Sequence, residues 1–469
     1  MAENWEHNLR GLKATLIGLG TRTNVALARF LVSRGALLTI SDRKPADQLR
    51  QEIALLGNLP VRLSLGANRV EDTVGADVVF VTPGAPRDLP AVVAAVEKGV
   101  PVSSEIELLF ALCPAPIVGI TGSSGKSTTT TLVGEIMLAA GLTVYVGGNL
   151  GTPLIDKIDD LRPSDWIVLE LSSFQLEAMR RSPHVAAILN ITPNHLDRHP
   201  SMEHYAESKR NIIRNQSADD WAILGYANDL TRAYGRSCAA RRLYFGVDEV
   251  EGDGAFCADG AVWLRLGGER RRVLDLAEIR LRGRHNLENV TAAVAITAAV
   301  GVPVEAMRHV TASFAGIEHR LEPVRTIDGV QFVNDSIATA PERAAAALRS
   351  FAEPVVLLAG GRDKHLPLDE FAQLVRARVR DLVLFGEAAG LLEEALGRAG
   401  APPPPIHHVS NLAEAVPLAA ALAAPGDVVL LSPAFTSYDQ FRDFEERGRE
   451  FKRLVNELPD TLAEVRRGR

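Results

Sequence analysis

The sequence predicts an α/β protein of about three domains, and three observations support this prediction. The chain has 469 residues, and a domain typically takes about 150 residues. Short β-branched runs alternate with helix-length amphipathic segments almost throughout, a pattern typical of parallel sheets covered by helices. Apolar residues make up 46% of the chain, which is enough to bury large cores without disulfide or metal support.

Charge and cysteine content exclude several classes of protein. The net charge of −7 would repel a phosphate polymer, so we expect no nucleic-acid partner. The three cysteines are odd in number and widely spaced, which excludes a disulfide framework and a CxxC metal site.

The first ten residues lack the apolar core of a signal peptide. The longest uncharged stretches, such as 108–125, are broken by proline and glycine, so we expect no membrane span and a cytoplasmic protein.

The first domain is predicted over residues 1–104 and is expected to resemble the Rossmann fold. A buried strand over 14–17 precedes Gly18-x-Gly20 and a helix over 23–34. The strand over 37–40 leads to Asp42, and the strand over 77–81 leads to Thr82-Pro83-Gly84. The glycine loop followed by an aspartate resembles a dinucleotide fingerprint that lacks its third glycine. It therefore favours binding of some nucleotide over NAD, with a purely structural use of the glycines as the alternative.

The second domain, predicted over 105–316, contains the strongest local motif of the chain, GITGSSGKST at 119–128. It follows an apolar strand and precedes a helix predicted over 127–140. Glycines let backbone N–H groups wrap a phosphate, the lysine supplies a mobile cation, and the hydroxyl after it is placed to hold Mg²⁺. Ile120 stands where the standard spacing has glycine, so the motif predicts a shortened phosphate-binding loop. Its predicted phosphate-binding residues are Gly122, Ser123, Ser124, Gly125, Lys126, Ser127 and Thr128.

Two other motifs follow predicted strands of the same domain. Glu170 ends the strand over 166–169, where an acid can reach a metal held by a phosphate loop in the same sheet. After the strand over 185–189, His195 and His199 lie four residues apart. Two prolines there favour a loop over the zinc-binding HExxH helix, so we predict Mg²⁺ rather than zinc. By itself, Lys209 on the following helix would be interpreted as a solvated lysine.

The rest of the chain is also interpreted from its strand pattern. Short alternating strands with Gly-Asp-Gly and Asp-Gly turns over 242–276 predict antiparallel hairpins. The third domain, predicted over 317–469, returns to an α/β pattern. Its strands are predicted over 330–333, 355–358, 382–385 and 428–431. Residues 402–405 are predicted to form a short stiff loop inside that domain.

Taken together, the motifs resemble the Mur ligase family in content and in order, from Gly18 to about Phe451. The resemblance implies a UDP-binding Rossmann-like domain, a central ATP-binding domain and a Rossmann-like C-terminal domain. The first and last domains most resemble the branch that adds D-glutamate to UDP-N-acetylmuramoyl-L-alanine in peptidoglycan synthesis. The motifs are GITGSSGKST, ELSSFQLE, NITPNHLDRHP, GRHNLEN, His319-Arg320, VNDSIAT, GGRDK and LSPAFTSYDQFRDFEERGREF.

The resemblance also implies a reaction and roles for its residues. ATP phosphorylates the carboxylate of the muramoyl-alanine substrate, and the amine of glutamate attacks the acyl phosphate, releasing phosphate. Lys126 neutralises phosphate charge, Ser127 and Glu170 serve one Mg²⁺, and His195 ligates a second. Lys209 matches a lysine that family members carbamylate, which makes it a support for the second Mg²⁺.

The remaining matches concern nucleotide and substrate binding. Asn286 and Asn289 match the adenine-facing pair, whereas Arg320 and Asp335 match residues that reach ATP from the third domain, which implies domain closure. The matches to contacts with the UDP-linked substrate are Thr21, Arg22, Asp42, Arg43, Thr82, Gly84 and Asn149. The matches to contacts with glutamate are Thr339, Lys364, Ser437 and Phe444.

One departure leaves alternatives open. Many glutamate ligases have lysine two places after the aspartate of the NDS motif, where this chain has Ile337. A variant ligase that adds L-glutamate is therefore an alternative, as is another Mur-type or folate-type amide ligase. Alternatives of other classes are a dinucleotide-dependent oxidoreductase that uses Gly18 and Gly20, and a regulatory NTPase. We expect a monomer.

Overall fold

The computed structural model describes residues 5–20, 23–149, 153–194, 198–281, 283–364, 366–398 and 402–467. Three residues with predicted roles, Thr21, Arg22 and His195, lie outside this described part. The chain divides into two compact units, Met1–Phe314 and Ala315–Arg469. Our boundaries at 104/105 and 316/317 stay predictions. None of the described helices is both long and apolar enough to cross a membrane.

The first sheet of the N-terminal unit has five parallel strands in the order β3-β2-β1-β4-β5. The direction in which successive strands are added reverses between β1 and β4. The apolar residues of both strands are buried. Such a switch point opens a crevice at the carboxyl ends of the strands. The strands are β1 Lys13–Ile17, β2 Leu37–Asp42, β3 Arg62–Leu65, β4 Val78–Val81 and β5 Val102–Ser103. The helices around this sheet are α1 Thr23–Ser33, α2 Arg50–Leu56, α3 Val70–Val74, α4 Pro90–Glu97 and α5 Glu105–Leu112.

The second sheet of this unit has nine strands in the order β14-β13-β12-β11-β10-β9-β6-β8-β7. Its strands are β6 Ile117–Thr121, β7 Val144–Gly148, β8 Trp166–Glu170, β9 Val185–Ile188, β10 Trp221–Gly225, β11 Arg241–Gly246, β12 Gly254–Ala258, β13 Ala261–Leu266 and β14 Glu269–Asp275. Its helices are α6 Lys126–Ala139, α7 Ser173–Leu176, α8 Met202–Arg214, α9 Asp229–Ser237, α10 Arg284–Val300 and α11 Val304–Ser313.

The prediction of antiparallel hairpins over 242–276 is only partly right. Strands β12, β13 and β14 do pair antiparallel. Strand β11, however, runs parallel to β10 and to β12. The helix α9 connects β10 to β11, and such a crossover is what a parallel neighbour requires. The second sheet is therefore mixed, with the parallel part next to the ATP-binding motif.

The C-terminal unit has one sheet of six strands in the order β15-β16-β20-β17-β18-β19. Only the edge strand β15 is antiparallel among these pairings. Residues 402–405 lie outside helices and strands, as predicted. The strands are β15 Glu322–Ile327, β16 Val330–Asn334, β17 Val355–Gly360, β18 Val379–Phe385, β19 Ile406–His408 and β20 Val428–Ala434. The helices are α12 Pro341–Arg349, α13 Asp369–Arg378, α14 Ala389–Arg398, α15 Leu412–Leu422, α16 Phe444–Asn456 and α17 Leu462–Arg467.

Candidate active site

The predicted phosphate loop lies between β6 and α6, as the sequence indicates. Gly125 has φ of +81° and caps α6, and a Cβ on it would lie 2.2 Å from Asn289 Oδ1. A Cβ on Gly122 would lie 2.9 Å from Leu189 Cβ. Both positions therefore require glycine. The loop leads directly into the first turn of α6, where unpaired N–H groups and the helix dipole favour an anion.

Lys126 begins α6, and its amine lies over the loop. Nζ donates to the carbonyl oxygens of Gly122 at 3.0 Å and Ser123 at 3.4 Å. Ser127 and Thr128 follow in the first helical turn and are half-buried. The lysine, the hydroxyl of Ser127 and the helix N-terminus are thus placed together at the carboxyl end of β6.

Asn190 is a contact of the loop that sequence reasoning missed. Its Oδ1 accepts hydrogen bonds from the backbone N–H groups of Ser123, at 3.1 Å, and Ser124, at 3.0 Å. The hydroxyl of Ser123 bonds the backbone of Thr192 and the hydroxyl of Tyr205. These groups of the loop are therefore engaged by the protein itself. The available signal was the position of Asn190 directly after the strand next to β6.

Glu170 lies at the carboxyl end of β8, opposite Ile120 in the neighbouring strand. Only 3% of it is exposed, so this carboxylate is buried at the end of its strand. Asn149 Nδ2 donates to Oε1 at 2.9 Å, whereas the buried Oε2 has no hydrogen-bond partner among the described residues. An unpartnered buried carboxylate oxygen is unfavourable. The Glu170 side chain therefore fits a cation such as Mg²⁺.

Lys209 is buried beside the same loop, with 1% of the residue exposed. Its Nζ donates to the Gly122 carbonyl oxygen at 2.9 Å and contacts Thr121 Oγ1 at 3.3 Å. Burial lowers the pKa of the Lys209 amine well below its usual value, the charge of Lys126 lowers it further, and Glu170 opposes the shift. The interpretation of Lys209 as a solvated lysine is therefore wrong.

The predicted adenine-facing pair lies near the loop. Asn289 Nδ2 donates to Asn286 Oδ1 at 3.0 Å, and Asn289 Oδ1 lies 3.4 Å from Thr129 Oγ1 in α6. The first turns of α10 therefore contact the start of α6.

His199 is buried, and its ring contacts Ser173 and Phe174. It is 2% exposed, its Nε2 lies 2.9 Å from Ser173 Oγ, and its ring stacks on Phe174 at 4.9 Å between centroids. The described residues between 190 and 200 contain no helix, in agreement with the predicted loop. Within the described chain, no group of three or more His, Cys, Asp or Glu side chains is arranged to hold a metal ion.

The described residues predicted to contact the UDP-linked substrate lie at or after the ends of β2 and β4 of the first sheet, except Asn149, which follows β7 of the second. Asp42 is buried, and its carboxylate accepts from the N–H groups of Leu19 and Lys44, both at 2.8 Å. It thereby fixes the glycine loop after β1. Thr82 lies against Gly18, where a Cβ would be 2.6 Å from Thr82 Cγ2. The structure brings these residues together at one sheet edge.

The other three described residues of this predicted set, Arg43, Gly84 and Asn149, are exposed. The carbonyl oxygen of Gly84 accepts a hydrogen bond from Arg198 Nη2 at 2.8 Å. Arg198 belongs to the NITPNHLDRHP motif, so this bond joins the two sheets of the N-terminal unit.

In the C-terminal unit, Asp335 follows β16 and is 4% exposed. Its carboxylate accepts from Ser432 Oγ at 2.8 Å and from the Leu321 N–H at 3.2 Å. Burial raises the pKa of Asp335 to about 7, against the effect of these hydrogen bonds. Arg320 is exposed, and its positive charge lowers the pKa of Asp335, against the effect of burial.

Of the four residues matched to glutamate contacts, three lie on loops of this unit and Phe444 is the first residue of a helix. Lys364 Nζ donates to Thr339 Oγ1 at 3.2 Å, so the loops after β16 and β17 meet. Ser437, in the loop after β20, is 2% exposed. Phe444 begins α16, and its carbonyl oxygen accepts from Ser336 Oγ at 2.8 Å. These contacts tie Phe444 to the loop that carries Thr339.

Comparisons with known proteins agree with this arrangement. Three family profiles match the chain: "Mur ligase MurD-like, N-terminal domain" over residues 12–104, "Mur ligase middle domain" over 120–297, and "Mur ligase, glutamate ligase domain" over 319–435. The UDP-N-acetylmuramoylalanine--D-glutamate ligase of Symbiobacterium thermophilum is 47% identical over 95% of this chain and 98% of its own length. The protein of the same name from Acetivibrio thermocellus is 40% identical over 97% of this chain and 98% of its own length.

Solved structures share the fold. A UDP-N-acetylmuramate-alanine ligase from Thermotoga maritima is 18% identical with a TM-score of 0.51, covering 95% of this chain and 99% of that one. A murein peptide ligase from Psychrobacter arcticus is 17% identical, also with a TM-score of 0.51, covering 96% and 100%. The predictions of a three-domain α/β fold and of a ligase are confirmed. Because three profiles match in the expected order and relatives are alike over nearly the whole chain, this protein belongs to the Mur ligase family.

Proposed function

We propose that this protein is an ATP-dependent ligase that joins D-glutamate to UDP-N-acetylmuramoyl-L-alanine in the synthesis of peptidoglycan precursors. The observation that carries the proposal is the likeness, over nearly the full chain, to relatives that bear the name of this activity. The chemistry of the described residues supports each part of it.

The phosphate loop suits transfer of a phosphoryl group to a carboxylate. Two anions must approach each other, so catalysis requires positive charge placed in advance. Lys126 and the N-terminus of α6 provide that charge at one sheet edge. Ser127 and Glu170 would hold Mg²⁺, with His195 proposed for a second ion, and the bound metal would supply further neutralisation of phosphate charge.

The proposed reaction has two steps, phosphoryl transfer and amide formation. A carboxylate oxygen of the muramoyl-alanine substrate attacks the γ-phosphorus of ATP, and the bond from that phosphorus to ADP breaks. The amine nitrogen of glutamate then attacks the acyl carbon, an amide bond forms, and phosphate leaves as the amine loses a proton. Lys126 stabilises the charge that is shared between the oxygens in the first step. Arg320 and Asp335 stay proposed contacts of ATP, as do Asn286 and Asn289.

Lys209 is proposed to carry a carbamate. A bond forms between Nζ and the carbon of CO₂, and the nitrogen releases one proton. The amine must be neutral for this step, and burial together with the charge of Lys126 favours the neutral form by lowering the pKa of the amine. The product replaces a neutral amine with an anion beside the cation Lys126, which favours the modified form and supports the proposed second Mg²⁺.

The C-terminal unit suits an acidic amino acid although Ile337 replaces a lysine. The Lys364 amine is partly desolvated, which lowers its pKa, and the charges of Arg343 and Arg447 lower it further. Three cationic side chains therefore act on one another at the loops that carry Thr339 and Lys364. Glu342 opposes the shift, but the three cations outnumber it, and such an excess of positive charge attracts a dicarboxylate such as glutamate.

The UDP-linked substrate is proposed to bind at the carboxyl ends of β1, β2 and β4. Asp42, Thr82 and Gly84 lie there, and Arg43 and Asn149 complete the described part of the proposed contacts. Thr21 and Arg22 are proposed on the family match. A cytoplasmic location and a monomeric state belong to the same proposal.

Phosphate release tests the function. The purified protein is given ATP and Mg²⁺ with or without UDP-N-acetylmuramoyl-L-alanine, and with D-glutamate, L-glutamate or other amino acids. We expect ADP and phosphate only when the UDP-linked substrate and D-glutamate are both present. A clear preference for L-glutamate would identify the variant ligase, and equal turnover with ATP alone would identify an NTPase instead.

A further inference from the structure

Arg447, in the second turn of α16, is the largest fully buried side chain of the described residues, with no exposed surface. No ion pair to a carboxylate is formed by it in the described part of the chain; Asp439 acts on it only through its charge. Burial lowers the pKa of its guanidinium to about 9. A buried charge without a charged partner is unfavourable unless hydrogen bonds replace its hydration.

Neutral oxygens of three loops provide that replacement. Nε donates to Ser336 Oγ at 3.0 Å, and Nη2 donates to the Ser336 carbonyl oxygen at 2.9 Å. Both Nη1 and Nη2 donate to the Phe435 carbonyl oxygen at 3.2 Å, and Nη1 also reaches the Gly360 carbonyl oxygen at 3.5 Å. A guanidinium has five N–H donors, so the five bonds use all of them.

The three loops bonded by Arg447 are those that carry the proposed glutamate contacts. Ser336 precedes Thr339 by three residues in the loop after β16, and Phe435 precedes Ser437 by two in the loop after β20. Gly360 ends β17, four residues before Lys364. Ser336 Oγ in turn donates to the carbonyl oxygen of Phe444 at 2.8 Å. All four proposed contacts therefore lie within four residues of an atom held by this network.

The backbone of two of these loops packs closely against the guanidinium of Arg447. Arg362 and Thr436 exchange backbone hydrogen bonds of 2.9 and 3.0 Å, which join the loops after β17 and β20. Gly361 has φ of +133°, and a Cβ there would lie 2.0 Å from the Thr436 carbonyl oxygen and 3.2 Å from Arg447 Nη1. Only glycine allows the two loops to approach while the guanidinium fills the space beneath them.

We infer that Arg447 is a positioning residue for the amino-acid substrate: its guanidinium fixes the spacing of the three loops that hold Thr339, Lys364 and Ser437. The inference rests on the proposed function. A lysine at this position has three donors on one atom, so it keeps the charge but cannot span three loops. Binding of glutamate therefore depends on the planar shape of the arginine and not on its charge alone.

The test compares Arg447→Lys with the wild-type protein in steady-state phosphate release. We expect the KM for D-glutamate to rise about tenfold or more, with the KM values for ATP and the UDP-linked substrate changed less than about twofold. Arg453→Lys is the matched control, because Arg453 lies on the same helix and pairs on the surface with Glu450 and Glu457. It should leave all three KM values unchanged.

Two further measurements test the role of Arg447. Ser336→Ala removes the acceptor of Nε, so it should raise the KM for D-glutamate, and its effect should be less than additive with that of Arg447→Lys. Amide hydrogen exchange should be faster over 360–364 and 434–438 in Arg447→Lys than in wild type, while the Arg453→Lys protein matches wild type. This readout needs no substrate, so it decides the inference even if wild-type protein does not use glutamate, a result that would refute the proposed function separately.

A purely structural role predicts a different pattern. Arg447→Lys would then lower the melting temperature or the fraction of active protein and leave the three KM values in their wild-type ratio. That pattern, or unchanged exchange over the two loop segments, would overturn the inference. If Arg447→Lys does not fold, an unchanged KM for D-glutamate in Ser336→Ala would overturn it as well.

Discussion

Lys209 Nζ lies 2.9 Å from the carbonyl oxygen of Gly122, so a buried amine on α8 contacts the predicted phosphate loop directly. Lys126 Nζ bonds the same carbonyl oxygen at 3.0 Å. Two amines that share one acceptor repel each other if both are charged, and their separation from water strengthens that repulsion. The charge of Lys209 therefore affects the electrostatic potential at the phosphate loop, whether or not its amine is modified.

Activity is expected to depend on CO₂. The carbamate forms only on the neutral amine, so acidification, which protonates Lys209, should remove the modification. We expect activity to fall in CO₂-depleted, mildly acidic buffer and to recover on addition of bicarbonate. Lys209→Ala should be nearly inactive and partly rescued by a small carboxylate, measured as phosphate release.

A neighbouring residue controls for damage to the helix. Arg210 follows on α8 and pairs with Glu207, so Arg210→Ala should keep activity and its response to bicarbonate. Full activity of Lys209→Ala, or an unmodified lysine in a crystal structure of active protein, would refute the carbamate.

Removal of the Lys126 amine should abolish turnover. We expect Lys126→Ala to lower kcat by about a thousandfold, because charge developing on the transferred phosphoryl group loses its nearest fixed cation. Circular dichroism and the melting temperature should stay close to wild type, since the residue is half-buried at the start of a helix. Lys157→Ala removes a surface amine that pairs with Asp160 and should be inert. Near-normal kcat in Lys126→Ala would mean that the phosphate loop is misassigned.

Lys364 is expected to contribute binding of the amino acid more than chemistry. Lys364→Ala should raise the KM for D-glutamate about tenfold or more while changing the KM for ATP little, because a cation facing a carboxylate stabilises ground and transition states alike. Arg362→Ala is the matched control on the same loop, since that side chain pairs with Glu387. Equal increases in both KM values would place Lys364 outside the glutamate site.

Glu105 should make stability fall as pH rises. Burial, with Asp156 nearby, raises its pKa from 4.5 to about 7 in the folded protein. At a pH between these two pKa values, Glu105 is ionised in the unfolded chain but keeps its proton in the folded protein. The free energy of unfolding therefore decreases as pH rises. Glu105→Gln removes this dependence. Its stability advantage over wild type should grow by about 2 kcal/mol between pH 5.5 and 8.5.

Urea unfolding at the two pH values measures this difference. Glu97 is exposed on α4, so Glu97→Gln is the control and should follow wild type at both pH values. An advantage of Glu105→Gln that is the same at pH 5.5 and 8.5 would show that Glu105 ionises normally in the folded protein.

Local patterns determined much of the fold and part of the site. Strands β6 and β8 were predictable because their apolar runs are continuous, as in a strand buried on both faces. Glycine spacing then identified the loop after β6, and Glu170 followed because parallel strands end at one edge of a sheet. The parallel course of β11 was not predictable, since turn residues mark where a strand ends and not which neighbour it joins.

By itself, the sequence determined the family, the α/β class with several of its strands, and the motifs at the strand ends, because each of these is set by residues close together in the chain. Only the tertiary structure decided the environments of Lys209, Asn190 and Arg447. Lys209 contacts Thr121 across 88 positions of sequence, and Arg447 contacts Ser336 across 111. A lysine or arginine on an amphipathic helix is usually solvated, so its burial depends on loops that arrive from elsewhere.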